Sequence, residues 1–279
     1  TARAAGFPNV ITGDVGGTSF DVALVAEGRA ALSAQASIGF GLVIRSPMVE
    51  ITTIGAGGGS IAGVDRAGLL QVGPESAGSD PGPACYGRGN DRPTVTDANV
   101  LLGRIDAARP IGALAALDVA ASEAAIGKHV AKPLGIDVLD AAEAILRVAN
   151  AKMAGAIRLV SIERGHDPKS FSLMPFGGGG ALHAGALIEE TGLARALVPR
   201  YPGVTSALGC VIADMRHDFV LTLNRPLDAI DEAAVAAEAA RMAQRGAALL
   251  DRAGVRFEGR SSEITLDMSY VGQPHTVAV

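Results

Sequence analysis

An apolar run at Val10 and Ile11 passes into Thr12-Gly13-Asp14-Val15-Gly16-Gly17-Thr18-Ser19, and a second β-type run with Phe20, Val22, Leu24 and Val25 follows at once. That pattern restricts the chain to a strand, a tight polar turn and a returning strand. Gly16 and Gly17 let backbone N–H groups approach an anion with no Cβ in the way, while Thr18 and Ser19 add hydroxyl donors. Asp14 and Asp21 flank the turn and can hold a hydrated Mg²⁺ beside that anion. The same residues also suit an ordinary β-hairpin with a Gly-Gly turn, which needs no ligand. Both readings stand on this stretch alone.

The rest of the composition narrows the partners. With 24 Lys plus Arg against 29 Asp plus Glu the balance is mildly acidic, and no basic block interleaves with aromatics, so nucleic acid is not an expected partner. Cys85 and Cys210 are the only cysteines, which excludes a disulfide framework or a multi-cysteine zinc module and fits a reducing compartment. No apolar run approaches the length of a membrane span, so the expected location is cytoplasmic with no membrane contact. A start without Met and an end inside strand-like Thr276-Val277-Ala278-Val279 suggest a fragment of a longer protein.

Along the chain, residues 10–38 read as a β-meander with a turn at Glu27-Gly28. Residues 39–110 form a glycine- and proline-rich insert, read as ordered binding loops with short strands at 69–72 and 94–96. A helical pattern covers 112–130 and breaks near Pro133-Leu134-Gly135. The strongest helix follows, with Asp137 as cap, Asp140 in the first turn, and Leu139, Ala142, Leu146, Ala149, Met153, Ala156 and Val160 stepping along one face. Gly165 is placed to end it. A buried strand at 171–176 then meets Gly177-Gly178-Gly179-Gly180 and a helix from 181 to 190 stopped by Gly192. This strand–glycine–helix pattern suits a nucleotide, whose base or sugar can lie on the bare backbone, and equally permits a flexible linker. Further expectations are a short strand at 196–199, a helix beginning in 202–209, a strand at 219–223, a long Ala-rich helix over 231–253, and a final β-pair at 264–270 and 276–279.

Several single residues carry two readings each. Gly57, Gly58, Gly59 and Ser60 suit backbone donors aimed at an anionic substrate, or a tight turn without ligand. Cys85 in its Pro-Gly-Pro loop is a substrate-contacting nucleophile or a buried thiol. Asp97 is a helix cap, or a base or Mg²⁺ contact, and stands with Asp14 and Asp21 among the catalytic candidates. His183 sits one turn into the helix after the four glycines, as a neutral site residue or a packed structural one. His166 reads as a capping residue, and His217, between Arg216 and Asp218, as part of an ion network.

Together the motifs resemble the hydantoinase A/oxoprolinase family, which includes ATP-dependent N-methylhydantoinases, 5-oxoprolinases and β-type subunits of acetone carboxylases. They are Asp14-Val-Gly-Gly-Thr-Ser-Phe-Asp21, Thr53-Ile-Gly-Ala-Gly-Gly-Gly-Ser-Ile-Ala62, Val72-Gly-Pro-Glu-Ser-Ala-Gly78, Pro81-Gly-Pro-Ala-Cys-Tyr-Gly-Arg-Gly89, Pro93-Thr-Val-Thr-Asp-Ala-Asn99, Ser161-Ile-Glu-Arg-Gly-His-Asp-Pro168, Phe176-Gly-Gly-Gly-Gly-Ala-Leu-His183 and Pro202-Gly-Val-Thr-Ser-Ala-Leu-Gly209. The resemblance implies one family domain over 1–279, an α/β, RNase H-like and actin-like ATPase fold of the sugar kinase, chaperone and actin superfamily. It implies ATP and Mg²⁺ as cofactors, with Gly16, Gly17, Thr18 and Ser19 as a second phosphate loop and Gly177 to Gly180 as the adenosine loop. The first phosphate loop would lie in an N-terminal domain outside this chain. The implied activity is phosphorylation of a cyclic amide for ring opening, with help from a hydantoinase B-type partner subunit or domain. The alternatives are an acetone-carboxylase-type subunit acting on a ketone or bicarbonate, and a nucleotide-binding switch module without chemistry. Three departures from the family pattern bear on substrate identity: Glu50-Ile51-Thr52-Thr53 in place of Asp-x-His-Thr, Ala181 where Pro is usual, and Phe20 where a small hydroxyl residue would donate to phosphate.

Overall fold

The computed structural model describes residues 1–33, 36–37, 42–44, 48–109, 116–273 and 276–279. The expected limits of the insert, at 39 and 110, the start of the helical pattern at 112, and His275 lie outside the described residues. By internal contacts the chain divides into two units, Thr1–Ile212 and Ala213–Val279.

The main strands of the first unit are β1 (Val10–Val15), β2 (Phe20–Ala26), β3 (Arg29–Ala30), β4 (Thr52–Ile54), β5 (Ser60–Val64), β6 (Leu70–Ser76), β7 (Ser172–Phe176) and β8 (Arg195–Ala196). Its helices are α1 (Val95–Leu101), α2 (Val119–Ile126), α3 (Val138–Val160), α4 (Gly180–Thr191) and α5 (Thr205–Ile212). A mixed sheet runs in the order β8-β7-β1-β2-β3, with β4 paired to the start of β2. The β1–β7 and β7–β8 pairs are parallel, whereas β1–β2 and β2–β3 are antiparallel. The expected α/β class is what forms. Glu27 and Gly28 join β2 to β3 with positive φ at both positions, 52° and 77°, the twist a two-residue hairpin needs.

Alternation along β1 and β2 sends Ile11, Val15, Phe20, Val22 and Leu24 into a core shared with Met153, Ile157 and Val160 of α3, Leu173 of β7 and Leu187 of α4. Gly13 belongs to this layer because the Phe20 ring fills its side-chain space: a Cβ there would lie 2.9 Å from Phe20 Cε2. Phe20 is fully buried, so it serves the core, and its hydrophobic ring rather than a lost phosphate donor explains its presence. Thr12, Asp14 and Asp21 are left on the opposite face of the sheet.

The insert builds a second core. Ala62 of β5 and Val72 of β6 pack with Val95 and Ala98 of α1, Ile126 of α2, and Ile145 and Leu146 of α3. The first half of α3 therefore serves the insert and its second half the sheet. Each fully buried Ile or Leu on it contributes about 1.5–3 kcal/mol of burial free energy. Asp137 caps the helix as expected, its carboxylate accepting from the Leu139 N–H at 2.8 Å. The helix stops at Val160, before the expected Gly165, because Ser161 Oγ donates back to the Ile157 carbonyl at 2.6 Å and a 3₁₀ turn, Ile162–Arg164, follows. Gly165, at φ 80°, closes that turn instead. Leu139, placed on the inner face by its spacing, is exposed, since the packed face runs through Val138, Ala141 and Ala142 and leaves Leu139 at its edge. Residues 94–96 form no strand: Thr94 makes one bridge to Ile61 and caps α1.

The second unit contains α6 (Glu232–Arg252), started by Asp231, whose carboxylate accepts from the Ala233 and Ala234 N–H groups. The expected strand at 219–223 does not form; Val220 and Leu221 are exposed and no strand pairs with them among the described residues. The final β-pair shrinks to Asp267–Met268 against Val277–Ala278. Arg216 and Asp218 form an ion pair, while His217, expected to share an ion network with them, is in no ion pair among the described residues.

Candidate active site

Because β1 and β7 run parallel with Asp14 opposite Phe176, they end at the same edge of the sheet. The loops that follow them, at 16–19 and 177–179, emerge side by side, and this is the edge at which open α/β sheets hold ligands. The two loops are bonded through the Gly179 N–H, which donates to the Val15 carbonyl at 3.1 Å. Gly177 has φ 79°, and a Cβ on it would fall 2.3 Å from Asp14 Oδ1 and 2.5 Å from the Val15 carbonyl oxygen. Only glycine fits there. Gly178 faces open space, and α4 begins at Gly180 with no side chain capping its N-terminus.

Asp14 and Asp21 sit directly opposite each other in the β1–β2 register, both half-buried on the face away from the core. Hydroxyls orient them. Ser206 Oγ donates to Asp14 Oδ2 at 2.7 Å, Ser19 Oγ donates to Asp21 Oδ2 at 2.8 Å, and Thr53 Oγ1 donates to Asp21 Oδ1. Ser206 arrives at the start of α5, which is tied to the loop by the Gly177 N–H donating to the Pro202 carbonyl at 2.9 Å. Among the described residues no group of three or more His, Cys, Asp or Glu converges into a metal site. A cation beside this pair would complete its shell with water and phosphate oxygens, which is how Mg²⁺ is usually held.

The insert reaches the same turn by its backbone. The N–H groups of Gly57 to Ser60, expected to face a substrate anion, are already bonded inside the protein. Gly57 donates to Ser60 Oγ at 2.8 Å, Gly58 to the Gly16 carbonyl at 2.9 Å, Gly59 to the Gly17 carbonyl at 2.5 Å and Ser60 to the Gly57 carbonyl at 3.1 Å. Ser60 is fully buried. This stretch is a strap over the glycine turn rather than an open cradle.

The placement of Asp97 corrects its reading as a base or Mg²⁺ contact. The residue is fully buried, and its carboxylate accepts from the Ala84, Cys85 and Thr94 N–H groups at 3.1, 2.8 and 2.8 Å, and from Thr94 Oγ1 and Ser122 Oγ at 2.8 and 2.9 Å. With Thr94 it forms a capping box at α1. Cys85 is equally buried beside it, and desolvation followed by the neighbouring Asp97 charge raises its thiol pKa well above the ordinary value. The thiol stays protonated, so a nucleophilic role is replaced by a structural one.

The family model described as hydantoinase/oxoprolinase matches residues 1–219. The chain belongs to the hydantoinase/oxoprolinase family. It is similar to the caprolactamase subunit alpha of Pseudomonas jessenii, 40% identical over 281 residues, covering all of this chain and 40% of that protein. It is 44% identical over 222 residues to the acetophenone carboxylase gamma subunit of Aromatoleum aromaticum, covering 77% of this chain and 29% of that protein. Among solved structures, nucleotide-free acetone carboxylase, from work on ATP-dependent acetone carboxylation, superposes with a TM-score of 0.79 at 28% identity, over all of this chain and 40% of that one. The chain thus spans 40% or less of the length of these relatives.

In this hydantoinase/oxoprolinase chain His183 is buried at 2% exposure, and its Nδ1–H donates to Asn150 Oδ1 of α3 at 2.7 Å. Desolvation, with a smaller contribution from the Arg104 charge, lowers its pKa to about 4. The imidazole is a neutral tie between α4 and α3, and is not presented to a ligand on the loops. Below the ordinary histidine pKa the unfolded chain binds a proton that the folded one refuses, so stability is full above about pH 6.5 and declines down to about pH 4, by about 3 kcal/mol in all. Urea midpoints at pH 7 and pH 5 should fall further apart in the wild type than in His183→Gln. His166 caps as expected, through its backbone N–H, which donates to the Ser161 carbonyl at 3.0 Å after Gly165, and its ring meets Phe171 edge-on. Ser206, Thr53 and Asn150 were missed as site and support residues; Ser206 and Thr53 lie inside family motifs, and that position was the available signal.

Proposed function

We propose that this chain forms one lobe of the nucleotide site of an ATP-dependent enzyme that activates a cyclic amide, of the hydantoin or 5-oxoproline type, for ring opening. The observation that carries the reading is the meeting of two glycine loops from adjacent parallel strands beside the opposed carboxylates of Asp14 and Asp21. A caprolactamase subunit that matches the chain from end to end supports a lactam as the substrate class. In this reading the sheet belongs to an actin-like, RNase H-like ATPase lobe and α3 is its connecting helix. Gly177 to Gly180 lie against adenosine, and the turn at Gly16, Gly17, Thr18 and Ser19 faces the phosphates.

When bound, ATP with Mg²⁺ would supply a γ-phosphoryl group to the lactam oxygen, leaving ADP, and water would then open the ring with release of inorganic phosphate. The chain's own residues hold and orient. The Gly17 and Thr18 N–H groups face the anionic oxygens, and Asp14 and Asp21, fixed by Ser206, Ser19 and Thr53, hold cation-bound water. Catalysis of this kind is mostly positioning and electrostatics. An N-terminal domain carrying the first phosphate loop and a B-type partner complete the site. The isolated chain should therefore show weak ATPase activity or none.

A second reading, phosphorylation of a ketone or bicarbonate, is favoured by the similarity to two carboxylases. ATP turnover by the full-length protein with its partner, assayed with hydantoins, 5-oxoproline, caprolactam, and acetone plus bicarbonate, separates the two. Stimulation by a cyclic amide supports the first reading, and stimulation by acetone plus bicarbonate alone supports the second. Turnover indifferent to every substrate would leave a nucleotide-binding switch. Asp14→Ala should lower kcat by about 10²-fold while ATP affinity changes far less. Unchanged kinetics would remove Asp14 from the site.

A further inference from the structure

The strap from the insert does more than cover the glycine turn. Gly58 and Gly59 donate to the carbonyls of Gly16 and Gly17 at 2.9 and 2.5 Å, which holds both carbonyls toward the insert. In a trans peptide the N–H lies in the same plane as the preceding C=O and points the opposite way. The Gly17 and Thr18 N–H groups are therefore turned away from the strap, and no protein acceptor takes them among the described residues.

The strap has its own anchor. Thr96 donates to the Gly58 carbonyl twice, from its N–H and from Oγ1, each at 2.8 Å. Nothing bulkier than glycine fits between anchor and turn: a Cβ on Gly57 would lie 2.7 Å from the Thr18 carbonyl carbon, and one on Gly59 would lie 2.9 Å from the Gly17 carbonyl oxygen. Thr96 stands in the first turn of α1, whose start is fixed by the Thr94–Asp97 capping box. An unbroken line of bonds runs from the insert's helix through Gly58 to Gly16.

We propose that Thr96 is a positioning residue for phosphoryl transfer. Through Gly58 it sets the Gly16–Gly17–Thr18 peptides so that the Gly17 and Thr18 N–H groups face the transferring phosphoryl oxygens, and turnover requires the insert to be ordered. This rests on the nucleotide reading above.

The test compares Thr96→Val, which keeps the shape and loses the hydroxyl donor, with Thr96→Ser, which keeps the donor, in the full-length protein with its partner. In Thr96→Val the kcat of substrate-stimulated ATP turnover should fall about tenfold, with the KM for ATP changing much less. Amide hydrogen exchange should quicken at residues 16–19 and 57–59. Thr96→Ser should match the wild type in both measurements. Wild-type kinetics and exchange in Thr96→Val would overturn the proposal, as would an equal loss in both variants accompanied by a lowered Tm. A wild type that turns over no ATP would overturn the nucleotide reading and the turnover half of this proposal, and the exchange rates would then decide whether Thr96 holds the loop.

Discussion

On the proposed nucleotide reading, Gly177→Ala should lower ATP turnover of the full-length protein by about a hundredfold. Two effects add. The added Cβ would meet Asp14 Oδ1 at 2.3 Å and the Val15 carbonyl oxygen at 2.5 Å, both beside the turn proposed to face the phosphates. The backbone at φ 79° also disfavours any L side chain, by about 1 kcal/mol. Relief requires the β7 loop to move off β1, which breaks the bonds from Gly179 to Val15 and from Gly177 to Pro202 and carries Ser206 away from Asp14. Gly185→Ala on α4 is the control, since its Cβ would project into open space and it lies outside both glycine loops, and it should keep near wild-type turnover. Equal kinetics for the two variants would show that the contact between Gly177 and Asp14 has no part in the reaction.

Asp97→Ala should destabilise the folded protein by about 3–5 kcal/mol, an effect to be read from urea unfolding at pH 7. Its carboxylate gathers five donors from three places in the sequence: the 84–85 turn, Thr94 and Ser122 of α2. Removing it leaves buried N–H and O–H groups without an acceptor. Asp97→Asn should fail nearly as badly, because half of the new side chain is an NH₂ group facing donors. A small effect in both variants would mean that water enters and takes over the acceptor role.

The sheet and helices were legible where local chemistry and tertiary packing agree. Asp137, Gly192 and the Glu27-Gly28 turn each act where their types predict. The misreadings share a cause. At Thr94-Val95-Thr96 the β-branched run reads as a strand, but Asp97 supplies the acceptor that turns Thr94 into a cap. At 57–60 the glycines read as an empty cradle, because nothing local reveals that Gly16 and Gly17, some forty residues earlier, present carbonyls to them. At Leu139 the helical period is right but its phase is one residue off, for Val138 rather than Leu139 packs against the core. That the two glycine loops meet was not legible, since no local signal shows that β1 and β7 are neighbours; the resemblance implied only that both serve one nucleotide site, and the β1–β7 register is what brings them together.

The parallel β1–β7 pair joins residues about 160 apart in sequence, and closing such a loop costs about 4–5 kcal/mol of chain entropy before any contact repays it. The hairpin of β1 and β2 can form early, within microseconds, but it carries only the Gly16–Gly17 half of the paired loops. The Gly177 half is expected to arrive with the non-local strand, late in the folding reaction. A ligand bound across both loops would therefore act on the native state after the rate-limiting step. It would slow unfolding in proportion to its affinity and leave the refolding rate nearly unchanged.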